Sequence, residues 1–152
     1  MTKKLDFEGL MPYMEELFKL GKTVKIQAKG ISMRPFLHEG RDYVILSKVD
    51  DATKLKKYQT PLYKREDGTY VLHRIVGIKN GAYNMCGDNQ TEIEKGVLPS
   101  QIKAVAVSFI RNGKEVSENA LLYKLYARTW HYLWPIRPII KTLNRSLRGK
   151  NK

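Results

Sequence analysis

The chain of 152 residues is 42% hydrophobic and 28% charged with few prolines, the balance of one globular domain and not of a disordered or collagen-like chain. Its longest stretches without Lys, Arg, Asp or Glu, residues 80–87 and 129–136, are eight residues each, far short of the roughly 20 that a spanning helix needs. A formal net charge of +13 favours a polyanionic partner, and a single cysteine, Cys86, excludes an internal disulfide framework and a cysteine-rich zinc site.

In chain order, Leu10, Met14, Leu17 and Phe18 recur at helical spacing among Glu15, Glu16 and Lys19, and Gly21 follows, which predicts an amphipathic helix over residues 7–20. Lys3 and Lys4 precede it, but acidic residues stand where a secretory signal would carry its apolar stretch, so the expected location is the cytoplasm. From Thr23 the period becomes two: Val24, Ile26 and Ala28 alternate with Lys25, Gln27 and Lys29 in a half-buried strand ending at Gly30. Residues 43–46 (YVIL) predict a second strand. Residues 62–64, the turn dipeptide Asp67-Gly68 and residues 70–78 predict a hairpin. Asn80-Gly81 leads into a strand over 82–86, and residues 104–110 reach Asn112-Gly113 and a short return strand. The expected body is mainly β and antiparallel, with an N-terminal helix.

After Asn119 the pattern is helical again, with Leu121, Leu122, Leu125, Tyr126, Trp130 and Leu133 on one side and Lys124, Arg128 and His131 on the other. Pro135 and Pro138 break it, and Ile136, Ile139, Ile140, Leu143 and Leu147 then interleave with Arg137, Lys141, Arg145 and Arg148. The last acid is Glu118, so residues 120–152 carry +8 and residues 1–119 carry +5. The organisation expected is a β domain over 1–119 and a basic amphipathic helical tail over 120–152. Trp130 and Trp134 beside Arg128, Arg137, Lys141 and Arg145 form the pattern of a helix lying in an anionic membrane surface, which would place the protein at the inner face of the membrane. The alternatives are that the aromatics pack on the body, that the basic face is only solvated, or that the tail binds nucleic acid, which the position of Trp and Tyr on the apolar side disfavours.

The chemistry concentrates in Gly30-Ile31-Ser32-Met33-Arg34-Pro35, directly after a strand. A serine in a turn with Gly30 before it and Pro35 after it can be held rigidly with its hydroxyl outward. His73 and Asp88 supply a base and a carboxylate, which with Ser32 complete the set needed for nucleophilic catalysis. Each has a structural alternative: Ser32 as a turn residue, His73 as a satisfied sheet histidine, Asp88 as a turn residue in Gly87-Asp88-Asn89. Cys86, two residues before Asp88, permits a cysteine nucleophile in principle, and a small buried role suits it better. His38 and His131 read as surface or packing residues and Arg74 as an ion-pair partner on the face opposite His73. The cysteine and histidines lack metal-ligand spacing, so neither metal nor cofactor is expected.

These residues resemble the type I signal peptidases and the related LexA-type self-cleaving peptidases. The resemblance runs from about Val24 to Ile110 and rests on four pieces in order: Ser32-Met33-Arg34-Pro35, Asp42-Tyr43-Val44, His73-Arg74-Ile75-Val76-Gly77 and Gly87-Asp88-Asn89. It implies a coiled, barrel-like β fold and a serine endopeptidase, with a histidine where the bacterial enzymes carry lysine, as in the archaeal and endoplasmic-reticulum branch. It further implies Asp88 as the orienting carboxylate, Glu94 or Glu92 as a supporting acid, an oxyanion site around Gly30, Ser32, Met33 and Pro35, and a preference for small residues before the cut. An extended peptide bound by strand addition is the expected substrate. An imidazole begins near a pKa of ~6.5, so His73 is expected to need orientation more than desolvation. The competing reading is a non-catalytic protein that uses its tail to bind nucleic acid or a membrane surface.

Overall fold

The structure, a computed structural model, describes residues 7–149; Lys3, Lys4 and the side chains of Leu147 and Arg148 lie outside the described residues. Helix α1 (Phe7–Lys19) is followed by β1 (Val24–Gln27), β2 (Tyr43–Ser47), β3 (Pro61–Lys64), β4 (Tyr70–Leu72), β5 (Arg74–Lys79), β6 (Ala82–Cys86), β7 (Glu94–Val97), β8 (Ile102–Arg111) and β9 (Lys114–Ser117), and then by helices α2 (Leu121–Tyr132) and α3 (Arg137–Gly149). The body is mainly β, as its alternating sequence requires. The larger sheet runs β1-β2-β8-β3-β4, with β9 also on β8, and the smaller runs β5-β6-β7. Neighbouring strands are antiparallel throughout. Register shifts at Ile45/Leu46 and Leu62/Tyr63 sharpen the twist of the larger sheet, which curls into a half-barrel.

Residues 70–78 form two strands where one is expected: β4 pairs with β3 in the larger sheet, β5 pairs with β6 in the smaller, and His73 stands between them. The cause is a non-local competition for backbone groups. Ile75 accepts from the Tyr58 N–H at 2.8 Å and donates to the Gln59 carbonyl at 2.9 Å, which draws the chain away from β3 after Leu72. Strand β7 is an addition to the strands expected from periodicity.

Apolar side chains form two cores. The first takes Met11, Met14 and Phe18 of α1 onto Ile26, Val44, Leu46 and Phe109, and the second joins Tyr63, Ile75, Tyr83 and Met85 between the sheets. Burying such side chains contributes roughly 1.5–3 kcal/mol each, enough to fix the helix and both sheets as one body. Tyr123 of α2 also belongs to the first core, so helix α2 is packed on the body. The single apolar side expected for α2 is split in two. Tyr123 and Ala127 are buried with Tyr126 and Trp130 beside them, whereas Leu121, Leu122 and Leu125 are 73%, 80% and 51% exposed. Aromatic rings win the inner face because they pack on Phe36 and Phe109, with centroids 4.9 Å apart for the stacked Phe36–Tyr126 pair and 5.1 Å for the tilted Phe109–Tyr123 pair, and bring hydroxyls to buried polar groups. Among the described residues no helix is long and apolar enough to cross a membrane.

Candidate active site

The turn that carries Ser32 is set by its neighbours. The Ala28 N–H donates to the Asp42 carbonyl at 2.8 Å, and the chain then reverses at Gly30, whose φ of +71° is a left-handed conformation that favours glycine. Met33, Phe36 and Leu37 are buried and anchor the turn, which leaves Ser32 half-buried and Pro35 exposed. Behind it, the Arg41 guanidinium and the backbone N–H groups of His38 and Asn112 bond the buried Asp42, which offsets its desolvation and holds its carboxyl well below the usual range. The loop 87–90 closes on the other side: the Asn89 N–H donates to the Ser32 carbonyl at 2.8 Å. A Cβ at Gly87 would lie 2.5 Å from that same oxygen, so glycine is required there by close approach. Among the described residues no hydrogen bond engages the Ser32 hydroxyl or the N–H groups of Ser32 and Met33.

Ser32 and His73 line one cleft of about 300 Å³, together with Gly30 and Met33. Its walls include Ile26 and Ala28 from the β1 side and Tyr70 and Leu72 of β4. His73 is 3% exposed. Its Nδ1 lies 3.4 Å from the Tyr63 hydroxyl, which donates its proton to Glu94 Oε2 at 2.7 Å. With that proton committed, the phenolic oxygen accepts from Nδ1–H, which leaves the lone pair on Nε2. Among the described residues no hydrogen bond engages Nε2. Arg65 holds Glu94 in turn, with Nε at 3.0 and 3.1 Å and Nη2 at 2.7 Å, and the bonds from Arg65 keep the Glu94 carboxyl below its usual range. Burial, reinforced by the Arg65 charge, pushes the His73 imidazole down to about 4. Burial therefore acts on His73 beside the bond that orients it, and the ring is neutral at neutral pH.

Asp88 is placed differently from its expected role. Arg74 donates to both carboxylate oxygens, Nε to Oδ1 at 2.9 Å and Nη2 to Oδ2 at 2.8 Å, and Tyr126 donates to Oδ2 at 2.9 Å. Its backbone carbonyl accepts from Trp130 Nε1 at 2.7 Å. Among the described residues no hydrogen bond joins Asp88 to His73, and the carboxylate that reaches the imidazole, through Tyr63, is Glu94. Glu92 is exposed, away from this chain of bonds. Arg74 is the ion-pair partner its position implied, and it is Asp88 that it pairs with. Cys86 is 1% exposed, its thiol within 3.3–3.5 Å of the carbonyls of Gly87, Gln90 and Glu92, and burial pushes it up, away from a reactive thiolate. His38 hydrogen-bonds Arg41 at 3.0 Å and His131 packs on Tyr58, with centroids 5.7 Å apart.

Part of the expected polyanion-binding set also proves to be internal. Arg137 is 3% exposed and donates to the carbonyls of Gln90 at 3.0 Å and Trp130 at 2.9 Å, while its guanidinium lies 5.2 Å from the Trp130 ring. The reason is the loop 87–90, whose outward carbonyls need donors that α2 and α3 supply. Lys141 donates to the Asn89 carbonyl, Trp134 is half-buried, and Arg128 and Arg145 are exposed.

Tyr63 and Arg65, which no sequence motif singles out, are the residues the site adds. The hairpin register Tyr63↔Val71 sets Tyr63 in the strand beside β4, which ends just before His73, and Arg65 lies two residues beyond Tyr63. Comparison of the chain with protein-family models, with curated proteins and with solved structures finds no match.

Proposed function

We propose that this protein is a serine endopeptidase of the signal-peptidase-like group, with a LexA-like β fold, that cleaves an extended peptide or leader segment. The observation that carries the reading is the pairing of Ser32 and His73 on one cleft, with neither the hydroxyl nor Nε2 committed to another group among the described residues. His73 Nε2 takes the Ser32 proton as the oxygen attacks the scissile carbonyl, and the imidazolium then returns a proton to the leaving amine. Tyr63, fixed by Glu94 and Arg65, holds the tautomer that this step needs. The N–H groups of Ser32 and Met33 are the candidate donors to the oxyanion. Asp88 supports the loop behind Ser32 and does not touch the base.

The sheet edges support an extended peptide as the substrate. β1 and β4 end the larger sheet, each with one neighbour, and both border the cleft, so an extended peptide can pair with an open edge. The apolar walls suit an uncharged side chain beside the cut. The test is digestion of a peptide library by wild type and Ser32→Ala, read by mass spectrometry. The variant should lose at least about a thousandfold in rate; equal cleavage by both would remove Ser32 from the mechanism.

A further inference from the structure

Helix α3 turns Arg137 and Lys141 toward the body and Ile139 and Leu143 outward. Arg137 and Lys141, four residues apart, bind carbonyls of the loop 87–90, whereas Ile139 and Leu143 are 60% and 58% exposed. Helix α2 repeats the arrangement: its aromatic side packs on the body, and Leu121 and Leu125 face out at 73% and 51% exposure. Lys124 and Arg128 stand exposed on the same helix, Arg145 is exposed on α3, and residues 120–152 contain eight Lys or Arg and no acid. Both helices thus leave exposed apolar residues and basic side chains at the surface, with Glu118 near Lys124.

We propose that this surface docks on an anionic lipid bilayer, with the leucines and isoleucines in the boundary between headgroups and acyl chains and with Lys124, Arg128 and Arg145 against lipid phosphates. Charge decides among the possible occupants. A second copy of the chain would bring two positive surfaces together, and a nucleic acid would meet the charges while leaving the leucines and isoleucines in water. An anionic bilayer satisfies both halves of the surface. The inference stands apart from the peptidase reading, because none of these residues lines the cleft that holds Ser32 and His73.

The test is flotation of the full chain with vesicles of phosphatidylcholine alone and of phosphatidylcholine mixed with phosphatidylglycerol. The protein should float with the mixed vesicles only, and added salt should release it. The exposed pair Ile139→Ser with Leu143→Ser should lower the partition coefficient at least about tenfold with the circular-dichroism melt unchanged. Lys124→Glu with Arg128→Glu should lower it as well. No flotation with the mixed vesicles overturns the proposal. So does unchanged flotation of the apolar variant, a dimer in sedimentation equilibrium that this variant dissociates while neither protein floats, or salt-sensitive binding of duplex DNA in place of vesicles.

Discussion

Two arginine–carboxylate pairs, each accepting a tyrosine hydroxyl, sit on opposite sides of the residue pair His73-Arg74. In one, Arg65 grips Glu94 and Tyr63 donates to the same carboxylate; in the other, Arg74 grips Asp88 and Tyr126 donates. The chemistry is alike and the burial is not: the Arg65–Glu94 side chains are 36% and 31% exposed, those of Arg74–Asp88 only 2% and 1%. The difference assigns their work. A half-open pair contributes about 0–1 kcal/mol to stability, so it is free to steer a neighbouring imidazole. A sealed pair has undergone full desolvation and is held only by complete hydrogen bonding, which here also fastens α2 through Tyr123 and Tyr126. Stacking of the Arg74 guanidinium among Phe36, Tyr123 and Tyr126, at 5.3–5.9 Å, closes that environment further.

The largest expected effect comes from unbalancing the sealed pair. Asp88→Asn leaves the Arg74 charge buried without its counter-ion and should cost roughly 3–5 kcal/mol in urea unfolding; a loss under about 1 kcal/mol would make the two pairs equivalent. Next is Tyr63→Phe, which removes the hydroxyl between His73 and Glu94. It should lower kcat about 10–100-fold with KM little changed and cost about 1 kcal/mol of stability. A stability loss as large as that of Asp88→Asn would erase the contrast between the half-open and the sealed pair.

The smallest effect is one of pH. A proton on His73 blocks the base, so the acid limb of kcat/KM should fall near the folded value of about 4, not near ~6.5. Unfolded, the same ring titrates near ~6.5, so between these values the unfolded chain binds more protons. The His73 contribution to stability is therefore present above about pH 6.5 and is lost as pH falls toward 4, and His73→Gln should flatten this slope. Glu94 raises the His73 pKa by its charge, so Glu94→Gln should move the acid limb further to low pH. A shift in the other direction would mean that Glu94 acts on His73 by something other than its charge.

The β character of the body, the N-terminal helix and the break at Pro135 could be read from periodicity, because local alternation and turn dipeptides decide them. The division at His73 could not, since Val71, Leu72, Ile75 and Val76 keep one apolar pattern across it and the competing partners, Tyr58 and Gln59, are distant in sequence. Ser32 and His73 were legible as a pair of chemical types, and the structure brings them to one cleft. The division of work between the acids was not, although the resemblance names Glu94 beside Glu92 as a supporting acid: a carboxylate's partner depends on which arginine and tyrosine the sheets deliver to it. Arg74 beside His73 claims Asp88, and Tyr63 leads to Glu94. The same limit governed the tail, where a helical wheel cannot tell aromatic rings that find a core from leucines that do not.

His73 occupies the link between β4, at the edge of one sheet, and β5, at the edge of the other. A side chain in mid-strand inherits its direction from the pleat of its own ladder. Here the aim of the imidazole depends on where two ladders sit relative to each other, and Ser32 answers to a third element, the turn after β1. Catalytic alignment in such a design is a property of the assembled body, so a peptide copying residues 70–78 would carry the histidine without its bearing.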